Sequence, residues 1–453
     1  MPGEGWGFMI SSKKPRSRRE FLKFAGSTAA AVGPFFLFPL RSSVQQKTLK
    51  IAHWAHFLPE YNQWFDKEYA VEWGKQHNTN VQVETIAIED VMSRATAEVA
   101  VGRGHDIFMF PWPPAQFGQH AIDHTEVYQA VATRHGNVNR IGHKSTFDPV
   151  GKKYFAFADS WVPAPFNYYL DFWSEVNTPF GPIHYDGLRS GGSRLRAKLG
   201  IPCGLAFGPT LEGNITLHTL LHAFGGRVLD ANGNVSIRKS YGTITALKYA
   251  KALYQDAGTP DQLTWASSGN AVAMQGKRTS CTVGAISLLR TLEKEQPQQA
   301  KSMMIGPPLL GIAGVMAVPH VTSCSVVWNF AGNKEGAKQF LVDLIDNFRK
   351  VYERSQGCNF PTYQNTVPNL IRLLESDPKA EPAYKYTRLK DALHWTPNLG
   401  FPGYATPVAM EAFNSFVLPR MFKRVLTGEA SAEDAAQAAE TEVKAIAEKW
   451  SKA

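Results

Sequence analysis

The sequence has few of the features that mark metal proteins or integral membrane proteins. Its four cysteines, Cys203, Cys281, Cys324 and Cys358, are spaced too widely to form a Cys-x-x-Cys metal pair. They leave open both two disulfide bonds and four buried thiols. The apolar segment at residues 25–40 is shorter than the about 20 residues that a membrane-spanning helix needs.

A clustered basic face is also missing, although the net charge is +9. Residues 1–45 hold seven basic and two acidic residues, so they account for most of that excess. The remaining positive charge is spread without a basic run, whereas a nucleic-acid-binding protein concentrates it on one face. We therefore expect no nucleic-acid partner.

Signatures of catalysis and of cofactor binding are absent as well. The segment from Gly269 to Lys277 imitates a phosphate-binding loop, but six residues separate its glycines, and Arg278 replaces the required Ser or Thr. His218 and His222 share a helical spacing without a third metal ligand nearby in the sequence. No nucleophile elbow occurs. We predict no catalytic residue, no cofactor and no metal.

What the chain does have is length and a composition that supports packed cores. Its 453 residues exceed one ordinary domain, and 44% of them are hydrophobic against 19% charged. We expect two or three lobes.

Short apolar segments alternate with segments of helical period, a pattern typical of βαβ units and a mainly parallel sheet. Strands are predicted at 49–54, 81–86 and 106–110, and helices at 61–75, 89–101 and 215–224. Two later helices are predicted to begin at Asn333 and Ser431.

The N-terminus has the pattern of an export signal. Residues 17–23 (SRREFLK) resemble the twin-arginine signature, and the apolar segment 25–40 follows. An uncleaved membrane anchor and an amphipathic helix are the alternatives. The translated start could be Met1 or Met9.

Seven motifs occur in an order typical of one family. They lie at residues 51–54, 102–110, 151–154 with 167–173, 224–235, 273–278, 333–337 and 428–435. In these the chain resembles the family 1 extracellular solute-binding proteins of ABC importers, which include maltodextrin-, oligosaccharide- and glycerol-phosphate-binding members.

The resemblance implies an α/β fold of the periplasmic-binding-protein-like type II, with two lobes joined by three hinge crossings. Residues 1–45 would be the export signal. Residues 47–157 with 308–357 would form lobe 1, and 158–307 with 358–453 lobe 2. The crossings would lie near 158–161, 306–308 and 358–361.

Tryptophans near predicted strand ends or hinges are the first candidates for ligand binding, because aromatic faces stack on the apolar side of sugars. Trp54 ends the first strand, and Trp112 lies between prolines after the third. Ligands of open α/β sheets bind beyond such strand ends. Trp161 lies at the predicted first hinge, where the resemblance implies a ligand contact.

Further candidates lie in the predicted second lobe. Glu212 and Asn214 precede a predicted helix, where they could accept ligand hydroxyl groups or simply cap the helix. Trp265 and Tyr404 could supply additional aromatic faces. Ile215 stands where the maltodextrin-binding relatives carry an aromatic residue, which argues against maltodextrin specificity.

The resemblance implies a non-catalytic receptor that captures a small polar solute, a carbohydrate above all, and delivers it to ABC permease subunits. It would be a monomer located in the periplasm or otherwise outside the cytoplasm. The Tat translocase would export it, and an uncleaved signal would tether it to the membrane. The alternatives are a secreted carbohydrate-active enzyme and a receptor for a non-sugar solute such as a polyamine or a glycerol phosphodiester.

Overall fold

The structure is a computed structural model that describes residues 46–452. The predicted export signal therefore lies outside the described residues. The strands are β1 Lys47–Trp54, β2 Thr79–Ile86, β3 Ile107–Phe110, β4 Phe147–Asp148, β5 Lys153–Tyr154, β6 Phe157–Val162, β7 Phe166–Tyr169, β8 Cys281–Val283, β9 Met303–Gly306, β10 Leu310–Gly311, β11 Gly314–Val315, β12 Val321–Val327 and β13 Phe360–Pro361.

Helices occupy most of the remaining chain. They are α1 Pro59–Trp64, α2 Ala70–Gln76, α3 Val91–Val101, α4 Thr125–His135, α5 Arg140–Thr146, α6 Leu170–Ser174, α7 Tyr185–Leu199, α8 Leu211–Ala223, α9 Tyr241–Ala257, α10 Gly269–Gln275, α11 Ser287–Glu295, α12 Pro297–Ser302, α13 Lys334–Asp346, α14 Phe348–Arg354, α15 Leu370–Glu375, α16 Ala392–Trp395, α17 Pro407–Asn414, α18 Val417–Leu426 and α19 Ala432–Ser451. A π-helical turn, Phe65–Tyr69, joins α1 to α2.

The main sheet has six strands in the order β13-β6-β12-β3-β1-β2. The first three strands of the chain pair in parallel, as the alternating pattern predicts. β12 is antiparallel to both β3 and β6, and β13 is antiparallel to β6. β6 therefore runs in the same direction as β1 to β3, and the expectation of a mainly parallel sheet fails at β12 and β13, which enter the sheet in the opposite direction.

A second, smaller sheet has the order β8-β7-β9, with β7 antiparallel to both neighbours. Residues 163–165 connect β6 of the large sheet to β7 of the small one. We call the six-stranded sheet and the helices packed on it (α2, α5 and α13) the large-sheet region. We call β7 to β9 with α7 to α11, α18 and α19 the small-sheet region. The lobe boundaries that the resemblance implies are not tested by this division and remain a prediction.

Capping residues set the helix ends that the sequence predicts. Asn333 accepts a hydrogen bond from the N–H of Gly336 and starts α13. Ser431 accepts one from the N–H of Asp434 and starts α19. α3 ends at Gly102, whose φ of 63° is left-handed. α8 begins at Leu211, four residues before the predicted start, because Thr210 caps it.

All four cysteines are buried free thiols, which settles the alternative that the sequence leaves open. Within residues 46–452, no helix combines the length and apolar character that crossing a membrane requires.

Candidate functional site

The carboxyl ends of β1, β2 and β3 lie at one edge of the large sheet, since these strands are parallel neighbours. The residues that follow them face the small-sheet region: Phe57 after β1, Glu89 after β2 and Trp112 after β3. Ligands of open α/β sheets bind at such an edge. The described arrangement therefore presents two aromatic rings and a carboxylate where a ligand would lie.

Opposite this edge lies the first turn of α8. The Thr210 hydroxyl caps that turn by accepting from the N–H of Gly213, at 3.2 Å. A Cβ atom on Gly213 would approach the carbonyl oxygen of Gly208 to 1.9 Å, so only glycine fits there. This close approach holds residues 208–210 against the helix and fixes the direction in which Glu212 and Asn214 project.

One mainly apolar cavity between the two regions, cavity A, has a volume of about 400 Å³. It lies in the usual size range of small-molecule sites. Trp112, Ile88 and Glu89 line one side, and Asn214 and Leu211 line the other. Trp112 and Asn214, which the sequence analysis predicts as ligand-binding residues, therefore line the same cavity. Their role in binding remains a prediction.

Next to cavity A is a small pocket, cavity B, of about 40 Å³. Glu212, Asn270 and His320 line it, together with Phe57. Glu212 directly follows Leu211 of cavity A, so the two cavities are neighbours along α8. Cavity B has room for one hydroxyl or amino group and not for a sugar ring.

A third and more polar cavity, cavity C, shares Phe57, Ser268 and Leu288 with cavity B and has a volume of about 510 Å³. Its cationic side chains already have acidic partners. Lys294 pairs with Glu60 across the two regions, and Arg290 pairs with Glu293 and Asp377.

Several buried polar atoms in cavities A and B have no hydrogen-bond partner among the described residues. Such atoms are costly unless something else pairs with them. In cavity A they are Trp112 Nε1, Asn214 Oδ1, Asn414 Oδ1 and Asn414 Nδ2, and in cavity B they are Glu212 Oε2, Asn270 Oδ1 and His320 Nδ1.

The orientation of two of these amides follows from their other hydrogen bonds. Asn214 Nδ2 donates to the carbonyl oxygen of Phe413 at 2.9 Å. Asn270 Nδ2 donates to Thr282 Oγ1 at 3.0 Å and to the carbonyl oxygen of Val283 at 3.3 Å. A carbonyl accepts and cannot donate, so the amide nitrogen must face it, and Oδ1 is the atom left for a ligand.

Burial controls the ionisation of the site. It raises the pKa of the Glu212 carboxyl, and the charge of Glu89 adds to that shift, while the N–H of Ser268 opposes it. Burial lowers the pKa of His320 to about 4, so its imidazole is neutral at neutral pH. The site therefore holds a buried carboxyl group beside a neutral imidazole.

The other two candidate tryptophans near the sheet lie deeper. Trp54 is packed behind the cavity wall, with its ring centroid 5.4 Å from that of Phe57. Trp161 exposes 2% of its surface, and its indole N–H donates to the carbonyl oxygen of Pro361 at 3.2 Å. The ring of Phe360 packs beside it, tilted by 58°, at a centroid distance of 5.4 Å. Their predicted role in binding remains a prediction.

Trp265 and Tyr404 lie apart from the other candidates. Trp265 is half-buried, and its indole N–H donates to Asp261 at 2.7 Å. Tyr404 lines a separate surface cavity of about 310 Å³, together with Phe147 and Trp450. The structure thus groups Trp112, Glu212 and Asn214, and it places Tyr404 elsewhere.

Sequence reasoning missed Asn270, His320, Asn414 and Phe57. Phe57 follows the first predicted strand just as Trp112 follows the third, so the same rule would have found it. Asn270, His320 and Asn414 come from distant parts of the chain, and no local pattern marks them.

Two histidines that the sequence raises as a metal pair pack inside the small-sheet region. The rings of His218 and His222 lie 5.9 Å apart, and His222 Nδ1 donates to the carbonyl oxygen of Gly226 at 3.1 Å. Across residues 46–452, no group of three or more His, Cys, Asp or Glu side chains could hold a metal ion.

The two-region architecture with ligand-sized cavities between the regions is the periplasmic-binding-protein-like fold. No protein-family model and no curated protein sequence matches the chain. The fold is instead shared with solved ABC-transporter sugar-binding proteins. A solute-binding protein from Thermotoga lettingae bound with alpha-D-tagatose has 17% identity and a TM-score of 0.73, covering 88% of this chain and 99% of its own.

Two further structures give the same result. A sugar transporter from Arthrobacter chlorophenolicus with bound laminaribiose has 14% identity and a TM-score of 0.74, with coverages of 88% and 99%. The maltose-bound MalE3 protein of T. maritima has 17% identity and a TM-score of 0.72, also with coverages of 88% and 99%. These similarities establish the fold.

Proposed function

We propose that this protein is the solute-binding receptor of an ABC importer and that it captures a sugar or a polyol between its two regions. The observation that carries the proposal is the set of unpartnered polar atoms on Trp112, Asn214, Asn414, Glu212 and Asn270, residues that all line cavities between the regions. A solute with several hydroxyl groups would pair with them, because each hydroxyl both donates and accepts.

The cavity walls suit a carbohydrate in a second respect. The rings of Trp112 and Phe413 lie 6.0 Å apart at cavity A, and Phe416 lines it as well. Aromatic faces stack on the apolar C–H surface of a sugar, while amides take its hydroxyl groups. Tagatose, laminaribiose and maltose in the structural neighbours are consistent with this class.

A phosphate-bearing solute is disfavoured. Among the described residues that line cavities A and B, none is a lysine or an arginine. A phosphodiester would bring its negative charge next to Glu89 and Glu212, which is unfavourable in a partly desolvated site.

The partners follow from the proposed role. The receptor would act outside the cytoplasm as a monomer and deliver its solute to ABC permease subunits. The twin-arginine pattern at residues 17–23 supports export by the Tat translocase. Measuring export of the full chain with Arg18 and Arg19 both changed to lysine tests that step.

Binding without turnover is the central test. Titration calorimetry against D-tagatose, laminaribiose, maltose, ribitol and related sugars should give binding of at least one at one site per chain. Chromatography of each mixture should show no product after long incubation. Product formation would instead favour a carbohydrate-active enzyme, the alternative that the sequence left open.

Closure is the second part of the proposal. A solute that touches Trp112 on one region and Asn214 on the other makes all its contacts only when the regions are close together, so binding favours the closed form. Small-angle scattering should show a smaller radius of gyration with a bound sugar. An unchanged radius together with unchanged tryptophan fluorescence would contradict the hinge arrangement.

A further inference from the structure

The charges in the candidate site are all of one sign. Glu89 is the only charged side chain that lines cavity A, and Glu212 is the only one that lines cavity B, as far as the described residues go. In cavity C, which shares Phe57 and Ser268 with cavity B, the cations Lys294 and Arg290 are occupied by their own acidic partners. The carboxylates of cavities A and B therefore have no counter-charge from the protein.

The Glu212 carboxylate is the critical group. It exposes only 5% of its surface, and its Oε2 atom has no hydrogen-bond partner within residues 46–452. A buried carboxylate without a cation is costly, because the charge has lost most of its water. Burial accordingly raises the pKa of Glu212, and Glu89 raises it further.

The neutral atoms beside Glu212 are also mainly acceptors. Asn270 lines cavity B and Asn214 lines cavity A, and the Oδ1 atom of each has no hydrogen-bond partner within residues 46–452. Their amide nitrogens are engaged by the carbonyl oxygens of Val283 and Phe413. A hydroxyl group could donate one hydrogen bond here, whereas a protonated amine could donate three and also neutralise the carboxylate.

The size and the walls of the site suit the same group. Cavity B, at about 40 Å³, accepts an amino group alone, and cavity A, at about 400 Å³ and lined by the preceding residues Leu211 and Ser267, can take a sugar ring. The rings of Phe57 at cavity B and Trp112 at cavity A add aromatic faces, which attract cations.

We propose that the captured solute is an amino sugar whose protonated amino group enters cavity B beside Glu212. This inference rests on the proposed sugar-receptor function and narrows it to a cationic class of sugar.

Matched ligand pairs test it on the full chain. Titration calorimetry at neutral pH and low salt would compare glucosamine with glucose, galactosamine with galactose, mannosamine with mannose, and the β-1,4 glucosamine disaccharide with cellobiose. Spermidine serves as a cation without a sugar ring. We expect at least one amino sugar to bind about tenfold or more tightly than its neutral partner, because hydrogen bonds to charged groups are the stronger ones.

Substituted variants test whether the preference for an amino sugar depends on the Glu212 carboxylate. Glu212→Gln keeps the shape of the side chain and should remove the tenfold preference, because it lowers the affinity for the amino sugar about tenfold more than the affinity for the neutral partner. Glu295→Gln, an exposed residue of cavity C, makes the same change in net charge and should leave the preference intact. If Glu212→Gln does not fold, Glu89→Gln at the exposed mouth of cavity A should reduce the preference in part.

The outcomes are distinguishable. Neutral sugars that bind as tightly as their amino partners in every pair would overturn the amino-sugar inference and leave the sugar receptor standing. Binding of spermidine with no binding of any sugar would overturn both. A preference that survives Glu212→Gln and Glu89→Gln would overturn the assignment of the amino group to this site.

Discussion

The cores of the large-sheet and small-sheet regions are built from different residues. The core of the large-sheet region is rich in aromatic rings. For example, the ring centroid of Trp328 lies within 6.2 Å of those of Phe108, Phe110 and Phe117. The small-sheet core is mainly aliphatic, with many alanines between its helices, as at Ala436 of α19.

The difference extends to what each region presents to the ligand cavities. Strand ends of the large sheet contribute the rings of Phe57 and Trp112, whereas helices of the small-sheet region contribute the polar groups of Glu212, Asn214 and Asn270. Phe57 and Trp112 thus lie opposite the polar side chains of α8 and α10, and Phe416 adds a ring from the small-sheet side. Closure would be needed for one solute to use both.

Substitution of Trp161 should have the largest effect on stability. It tests whether this residue belongs to the hydrophobic core or to the ligand site. Since its ring is almost fully buried beside Phe360, Trp161→Ala should destabilise the ligand-free protein by about 3–5 kcal/mol. Thermal and urea unfolding measure this, with half-buried Trp265→Ala as the milder control. A variant of unchanged stability that loses sugar affinity would instead make Trp161 the ligand contact that its predicted hinge position implies.

Trp112 tests the stacking side of the comparison. Trp112→Ala should weaken binding by about 1–3 kcal/mol, and since the ring is also buried it should lower the ligand-free stability, so binding is measured on the folded variant. Trp112→Phe keeps a ring and loses the unpartnered N–H, so the loss should be about 1 kcal/mol. Calorimetry with the best-bound sugar measures both variants. Trp450→Phe removes an indole N–H from the separate Tyr404 cavity and should bind normally.

Acid should weaken both regions in the same way. Burial lowers the pKa of His56 and His320, and of His222, to about 4, and that of His218 to about 3. The unfolded chain, with ordinary histidine pKa values near 6.5, binds more protons between these limits. Stability is therefore full above about pH 6.5 and is lost as the pH falls toward 4, by roughly 1–2 kcal/mol per histidine at pH 5.

Melting temperature as a function of pH measures this loss. His320→Leu, at the cavity edge, and His218→Leu, in the small-sheet region, should each make the decline between pH 6.5 and 5 less steep. If only one variant does so, the two regions differ in their response to acid. A decline unaltered in either variant would show that other groups cause it.

The thiols should show the smallest effect. All four cysteines are buried, and burial raises the pKa of Cys358 to about 12. Native protein should react slowly with a thiol reagent, and denatured protein should react at four sites. Rapid reaction of Cys203 or Cys281 alone would show that the small-sheet region opens more readily than the large-sheet region.

Much of the fold could be predicted because its signals are local. The parallel strands β1 to β3, the cap at Asn333 and the cap at Ser431 depend on residues close together in the chain, and all three predictions are confirmed. The antiparallel entry of β12 could not be predicted in this way, since strand direction depends on how distant segments meet.

The candidate site, too, could be predicted only where its residues are marked by local sequence patterns. By itself the sequence determined that Trp112 follows a strand of an α/β sheet and that Glu212 and Asn214 lie close to the start of a helix, because turn, cap and periodicity are short-range properties. Only the tertiary structure decided that Asn270, His320 and Asn414 join them, that Tyr404 does not, and that no cation accompanies Glu212 among the residues lining cavity B. Burial and pairing are the physical reason: both depend on which distant residues come together, and no local pattern encodes that.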